Sequence, residues 1–451
     1  MTLQAPGNPR PQGSAREAAE RVVRELRRAG HSAYFAGGCV RDELLGLHPK
    51  DYDVATGATP DQVGGLFRST REVGKAFGVM LVRLMGVTVE VTTFRKEGEY
   101  SDRRRPDSVI FADARSDAER RDFTINALFL DPLAPAEAGL KGAVRGAVID
   151  FVGGRADLEA GVVRAVGDAD ARLAEDHLRA LRAVRFAARL GFTIDAPTID
   201  AIRRHARELA GVSRERIGDE LRRMLAAPTR GAAVRLIESL GLDGPVLDEE
   251  AHALEQRPGA AASVAGLPEK ADFAWALAAW ALDRAGAGSS LHGAGARAGR
   301  AGARWRAALC LSTEERERFG EILVSFDRIV DAWDGMGVAP RKRLASRASF
   351  EPALTLVGLV DAGRERGVRA EVGVLARSHG GLSPAALLTG DDLIASGFSP
   401  GPAFGRWLDG AYDAQLEGRV TTREGALALV RALVSEEQSP GVEPRTRGEL
   451  K

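Results

Sequence analysis

The sequence predicts an α+β protein, with a small mixed sheet and its helices near the N-terminus followed by an all-helical C-terminal region. Three observations carry this prediction. Alternating, β-branched runs cluster early, in SAYFAGG, VMLVRLMG and VTVEVTTF, all before about Leu130. Strand signals fade beyond Pro132, and VIDFVGG is the last of them. Apolar residues then recur at helical spacing through ARLAEDHLRALRAVRFAARLGF, TIDAIRRHARELAG, RERIGDELRRMLAA and RGAAVRLIESLG.

In chain order, residues 1–14 read as a flexible tail, polar and rich in proline and glycine. AREAAERVVRELRRA, Ala15 to Ala29, is an amphipathic helix. SAYFAGG is a strand ending in two glycines, and CVRDELLG a helix stopped by Gly46. Asp51 to Ala55 reads as a second strand. The α/β unit occupies 15–134, and helical segments follow over 135–228, 229–335 and 336–435, with a flexible end over 436–451. DRAGAGSSLHGAGARAGRAGARWR has the composition of a surface loop, so 284–303 is expected to be a flexible insertion.

At 451 residues the chain is long for a single core, and roughly three units are expected. It is 44% hydrophobic and 28% charged, which excludes a disordered chain. Lys+Arg and Asp+Glu both number 63, so any surface for a polyanion must come from segregated charge. Two distant cysteines, Cys39 and Cys310, with no CxxC spacing, fit a reducing, cytoplasmic setting. The N-terminus has no apolar signal-peptide core, and no run of about 18 apolar residues suggests a membrane span.

The chemistry concentrates in YFAGGCVRDELLGLHPKDYDVATGATP, Tyr34 to Pro60. Alternate residues on a strand share a face, so Asp51 and Asp53 present their carboxylates together. Mg²⁺ relieves such repulsion, since it takes one or two carboxylates plus substrate phosphates. Gly37-Gly38 opens a helix whose N-terminus favours phosphate, and glycine lets the backbone approach closely. Glu90, an acid in the apolar run VTVEVTTF, is a candidate third carboxylate. On spacing alone each feature also has an ordinary reading: a solvated strand edge, a plain turn, an outward-facing glutamate.

GGCVRDELLG, KDYDVAT, RRDFTINAL, DFVGGRADLEAGVVRAVGD and EDHLRALRAVRFAARLGF follow in this order between about Tyr34 and Phe192. Together they resemble the bacterial class II tRNA nucleotidyltransferase (CCA-adding) and poly(A) polymerase family. The likeness is strong to about Leu225. Beyond it lies mainly in helical character and in LLTGDDLIASGF and GRWLDGAYDAQLEG. The resemblance implies a polymerase-beta-like nucleotidyltransferase head, then neck, body and tRNA-binding tail over the three helical segments. It implies two Mg²⁺ ions, with Asp51 and Asp53 as ligands and catalytic groups; Glu90 is the candidate third metal carboxylate on its apolar surroundings alone. Gly37, Gly38 and Arg41, with Asp42 in the same motif, would meet the triphosphate. Arg121, Asp122 and Asn126 would meet ribose and phosphates; on spacing alone Arg121-Asp122 reads as a surface ion pair and Asn126 as a cap or turn.

EDHLR bears on the base. Asp176 and Arg179, three apart, share a face if the segment is helical, and by spacing that is a stabilising pair. By resemblance these two, with Glu175 beside them, pair with the incoming base. Cytosine and adenine each offer an amino donor beside a ring-nitrogen acceptor, whereas uracil and guanine offer a carbonyl beside an N–H. A carboxylate acceptor next to a guanidinium donor therefore suits C and A. Arg182, Arg185 and Arg189 read equally as a solvated face or as contacts to RNA or triphosphate.

VGKAFGVMLVRLMG is similar to the tRNA-enzyme form rather than to the basic, histidine-containing strand of the poly(A) polymerases. Thr92 to Val109, TTFRKEGEYSDRRRPDSV, is similar to the flexible loop of enzymes that add the terminal A. The expectation is a cytoplasmic enzyme adding CMP and AMP from CTP and ATP to the 3′ end of tRNA. An A-adding enzyme, a poly(A) polymerase and a catalytically idle RNA-binding protein are the alternatives. The histidines His177, His205, His252, His292 and His379 read as isolated, arguing against a His-Asp phosphohydrolase domain. Cys39 reads as a small buried residue.

Overall fold

A computed structural model describes residues 14–74, 78–97, 109–137, 144–249, 261–378 and 380–438. The expected terminal tails therefore lie almost wholly outside the described residues, as does most of the expected loop at Thr92 to Val109. The chain divides into two compact units, 1–257 with 307–310, and 258–306 with 311–451.

In the first unit, helix α1 (Ala15–Arg28) begins in a capping box, where Ser14 accepts from the Glu17 amide and Glu17 accepts from the Ser14 amide. Such a cap is worth about 0.5–2 kcal/mol. The helix buries Ala18, Ala19, Val22, Val23 and Leu26. Strand β1 (Ala33–Ala36) leads into α2 (Gly38–Leu44), followed by β2 (Val54–Thr56), α3 (Pro60–Leu66), β3 (Thr70–Gly74), β4 (Val79–Leu84) and β5 (Val87–Thr93). β4 and β5 join through Met85 and Gly86, both at positive φ (54° and 82°), as a two-residue turn matched to strand twist requires. A ribbon of β6 (Arg95–Glu97) and β7 (Val109–Phe111) follows, then α4 (Ala114–Glu119), β8 (Phe129–Asp131) and β9 (Ala147–Ile149).

Seven strands form one mixed sheet in the order β3-β4-β5-β2-β1-β8-β9. Only β2 and β5 pair in parallel, with Val54 opposite Val91; the other pairs are antiparallel. β2 starts at Val54, later than the expected Asp51. The ladder nonetheless reaches Asp53, whose carbonyl accepts from the Ala36 amide at 3.0 Å. Beneath the sheet, Phe94 and Phe129 meet edge to face at 5.9 Å with Ala36, Ala55, Ala118 and Ala127 around them.

Helices take over at α5 (Gly154–Ala160), with the short strands β10 (Val162–Val163) and β11 (Thr193–Ile194) pairing in parallel around α6 (Ala169–Glu175) and α7 (Arg179–Leu190). Then come α8 (Ala196–Arg204), α9 (Arg214–Leu225), α10 (Arg230–Ser239) and α11 (Asp243–Leu247). The segment read as one helix through EDHLR is two, because Asp176 is extended (φ −150°, ψ 101°). Its side chain accepts from the Leu178 amide at 3.1 Å and so ends α6 just where α7 begins. An aspartate bonding the backbone two residues on is a local competitor of helix.

The second unit holds α12 (Ala262–Gly266), α13 (Phe273–Arg284), α14 (Ala294–Ala308), α15 (Thr313–Asp327), α16 (Val338–Ala345), α17 (Phe350–Val360), α18 (Ala362–Ala376), α19 (Gly390–Ala395), α20 (Ala403–Leu416) and α21 (Arg423–Gln438). α13, FAWALAAWALDR, is apolar all round and buries Phe273 through Leu282. Of the flexible insertion expected over 284–303, the part from Ala294 onward is instead helix, in α14. Its alanines favour helix, and its glycines pack where a side chain would collide with Leu323 and Phe319 of α15.

Candidate active site

A cavity of about 570 Å³ opens in the first unit between the β1-α2 turn, the β2 and β5 ends, the Arg120–Asn126 segment and α7. Gly37 and Gly38 form one edge. Gly37 has φ 73°, and a Cβ there would come within 2.8 Å of Arg121 Nη1, so this position needs glycine for conformation and for space. Its N–H is engaged by the Leu128 carbonyl at 3.0 Å. The donors left for an anion at this edge are the first-turn amides of α2, which have no intrahelical acceptor.

Asp53 lines the cavity floor beside Glu90. Because Val54 pairs with Val91 in parallel register, the preceding residues, Asp53 and Glu90, are neighbours on one face. Asp53 is open to the cavity. The surrounding wall, then the Glu90 and Asp51 charges, raise its carboxyl to about 6, with Arg121 opposing. Glu90 is likewise pushed up by burial and by Asp51, with Arg95 opposing. Asp51 is exposed and does not line the cavity; it acts on both acids through its charge.

The family to which these motifs point uses divalent metal, and the donor set fits one. Burial and the neighbouring Asp51 make both Asp53 and Glu90 hold their protons more tightly. Among the described residues no group of three or more His, Cys, Asp and Glu side chains closes into a metal cage. The set therefore suits an ion that takes one or two carboxylates and completes its shell with water and phosphate, as Mg²⁺ does.

The opposite wall is cationic, with eight arginines lining the cavity against four acids. Arg41 is buried and forks Asp42 Oδ1 through Nε and Nη2 (2.8 and 2.6 Å), while Nη1 donates to Asn126 Oδ1 at 2.5 Å. Asn126 in turn donates to Asp122 at 3.1 Å, and Asp122 holds Arg182 at 2.7 Å. Burial pushes Asp122 up, but Arg182 and the Asn126 hydrogen bond outweigh it and hold the carboxyl low. The expected surface ion pair of Arg121 with Asp122 does not form. Arg121 binds Asp117 Oδ2 at 2.9 Å and the Asn126 carbonyl at 2.9 Å, stacked over Phe129.

Asp176 and Arg179 both line the cavity although they do not share a helix face. Asp176 Oδ2 accepts from Arg216 at 2.6 Å, and Arg179 Nη1 donates to Glu175 at 2.5 Å and to the Arg172 carbonyl at 2.7 Å. Each is fixed by its own partner. A carboxylate has about four lone-pair sites and a guanidinium five donors, so both keep capacity for a ligand. Glu175 does not line the cavity and acts through Arg179.

Arg182, Arg185 and Arg189 turn their α7 face into the cavity, together with Phe186, which carries Arg41, Arg182 and Arg185 at 5.0, 5.4 and 4.3 Å from its ring centre. Their spacing from Arg179 is the signal that placed them on one face. Arg95 and Arg120 also line the cavity and had no signal beyond charge. Cys39 is buried with its thiol pushed up to about 12 by burial and Asp53, unlike a nucleophile. His177 and His205 are not isolated, since their rings lie 5.6 Å apart. His292 also has a partner, Asp331 at 2.6 Å.

Crowded acids at the start of β2 and within β5, a glycine edge and a facing arginine wall define a nucleotidyltransferase head. Residues 33–164 match the family model described as "Poly A polymerase head domain", and 191–253 the model for the "Probable RNA and SrmB-binding site of polymerase A". The CCA-adding enzyme of Geobacillus thermodenitrificans is 39% identical over 285 residues, 59% of this chain and 68% of that one. That of Geobacillus kaustophilus is 40% identical over 255 residues, so the match spans 57% of its length. The structure of the Bacillus stearothermophilus CCA-adding enzyme in complex with CTP superposes with a TM-score of 0.71 at 27% identity, covering 94% of this chain and 99% of that one. The Thermotoga maritima CCA-adding enzyme complexed with tRNA, 18% identical with a TM-score of 0.65, shares the fold. The chain belongs to the CCA-adding enzyme family of tRNA nucleotidyltransferases. Among the described residues no helix is long and apolar enough to cross a membrane.

Proposed function

We propose that this chain adds CMP and AMP from CTP and ATP to the 3′ end of tRNA in the cytoplasm, without a nucleic-acid template and with two Mg²⁺ ions. One observation carries the reading: a single cavity gathers Asp53 and Glu90 on one wall and Asp176 and Arg179 on the other. Mg²⁺ held by Asp51 and Asp53 would supply charge neutralisation and Lewis-acid polarisation of the reacting phosphate. Gly37, Gly38, Arg41 and Arg121 hold the triphosphate. The Asp122, Asn126 and Arg182 network orients the ribose. Asp176 accepts from the base amino group and Arg179 donates to the ring nitrogen beside it, which leaves uracil and guanine with unpaired groups costing about 1–3 kcal/mol each. The helices over 229–335 and 336–435 grip the tRNA as body and tail, reading shape and phosphates.

The test uses tRNA transcripts ending before CCA or after CC, and an unstructured RNA, each incubated with single nucleotides and Mg²⁺. Incorporation of C and A into tRNA alone is expected. A added only to CC-ended tRNA would make the chain an A-adding enzyme, long A tails a poly(A) polymerase, and no extension an idle RNA binder.

A further inference from the structure

The cavity holds one hydroxyl with no role in the transfer described above. Among the described residues Thr92 is the sole hydroxyl-bearing side chain that lines it. Along β5 the buried Val89, Val91 and Thr93 alternate with Glu90 and Thr92, so Glu90 and Thr92 share the open face. Neighbouring threonines are committed to backbone: Thr56 donates to the Ser32 carbonyl and Thr93 to the Ala58 carbonyl, each at 2.7 Å. The Thr92 hydroxyl makes no hydrogen bond among the described residues. Val79 on β4 and Ala55 on β2 flank it in the ladder, and both also line the cavity. In a cavity of eight arginines and four acids, these three positions form a neutral patch with one hydroxyl at its centre.

Strand order decides what lies over that patch. β1, β2 and β5 are neighbours in that order. The glycine edge after β1, Asp53 at the start of β2 and Thr92 on β5 therefore follow one another across about 10 Å. In the proposed transfer the acceptor's 3′-oxygen bonds the α-phosphorus as the bond to the pyrophosphate oxygen breaks. Pyrophosphate keeps that electron pair, and the hydroxyl proton passes to solvent. Attacking and leaving oxygens lie roughly in line through the phosphorus. With pyrophosphate at the glycine edge and the phosphorus over Asp53, the attacking ribose falls on the far side, over β5. It is uncharged, as the patch is, and it carries two adjacent hydroxyls.

We infer that Thr92 binds the 2′-hydroxyl of the acceptor's terminal ribose and so sets the neighbouring 3′-hydroxyl beside Glu90 and Asp53; the inference rests on the function proposed above. Thr92 and Glu90, two residues apart on one strand, stand about 7 Å apart on one face. Two adjacent hydroxyls bridge such a gap, one at each end. Threonine and the 2′-hydroxyl can each donate or accept, so the bond forms in either sense. A DNA terminus offers nothing to this contact, which makes Thr92 a determinant of RNA over DNA at the acceptor end.

The experiment compares the full chain with two hydroxyl-free variants, Thr92→Val and Thr92→Ala, and with Thr92→Ser. The acceptors are tRNAs lacking CCA whose terminal ribose either carries or lacks its 2′-hydroxyl, the 3′-hydroxyl being kept in both. CTP incorporation with Mg²⁺ is measured while acceptor and CTP are varied in turn. Wild type should favour the ribose terminus roughly tenfold in kcat/KM for the acceptor, the scale of one neutral hydrogen bond. Thr92→Val and Thr92→Ala should lose that preference by slowing only on the ribose terminus, with KM for CTP unchanged, and Thr92→Ser should keep it. A wild type indifferent to the 2′-hydroxyl, hydroxyl-free variants that keep the preference, or equal slowing on both termini overturns the inference and leaves the proposed function standing. A wild-type chain that extends neither terminus overturns both.

Discussion

At the scale of single residues, the site is built at some cost to the fold. Asp53 has a carboxyl near 6, above the ordinary value of about 4 in an unfolded chain. A raised folded pKa means that the folded state holds the proton more tightly. Ionised Asp53 therefore destabilises the metal-free fold above about pH 6, and the penalty disappears as pH falls toward 4. Asp53→Asn should melt higher than wild type at pH 7.5 without metal, with the gap closing by pH 4 to 5; a gap independent of pH would contradict the crowding of acids. The same variant should lose at least about a hundredfold in nucleotide transfer, the scale for removing one group that stabilises transition-state charge. Asp117 is the opposite case. Burial pushes it up, but Arg121 and Arg120 outweigh that and hold it below the usual range, so its contribution is present above about pH 4 and lost as pH falls through its folded value. At 1% exposure it anchors both arginines, and Asp117→Ala removes the carboxylate that the half-buried Arg120 and Arg121 share. We expect a loss of about 3–5 kcal/mol in denaturant unfolding. Because Arg121 sits against Gly37, KM for the nucleotide should rise as well.

At the scale of elements, the break between α6 and α7 determines what Asp176 and Arg179 can do. Read as one helix, EDHLR would place the two side chains a turn apart, where they would bind each other. With Asp176 extended, Asp176 is held by Arg216 and Arg179 by Glu175, so both face the cavity in fixed positions. Asp176→Ala should relax selection among the four nucleotides, read as incorporation of UMP or GMP into tRNA lacking CCA. Unchanged selectivity would remove Asp176 from base recognition. The sequence showed these residues and the strands around Asp53 because alternation and motif order are local properties. It did not show the break, since an aspartate that caps and an aspartate within a helix leave the same pattern of apolar residues. α14 was misread for a related reason: glycine and alanine together signal a flexible linker by composition, whereas here glycine provides close packing and alanine the helix. The arginine wall on α7 was visible as a helical face but not as one side of a cavity, because the opposing acids, Asp53 and Glu90, come from strands far earlier in the chain.

At the scale of the whole molecule, equal numbers of acidic and basic residues conceal local segregation, with eight arginines against four acids around one cavity. The same separation of parts offers a direct thermal test. Every residue lining the cavity belongs to the first unit. All five tryptophans, Trp275, Trp280, Trp305, Trp333 and Trp407, belong to the second, and Trp280, Trp305 and Trp333 are fully buried there. Tryptophan fluorescence therefore follows the unfolding of the second unit, while calorimetry follows both. A ligand that binds only the folded first unit stabilises it by about 2.7 kcal/mol at a hundred times its Kd. CTP with Mg²⁺ should raise one calorimetric transition and leave the fluorescence midpoint in place, and Asp53→Asn should weaken that rise. If the fluorescence midpoint climbs in step with the calorimetric one, the two units unfold as a single cooperative body, and binding in the cavity stabilises the tryptophan-bearing helices as strongly as the sheet.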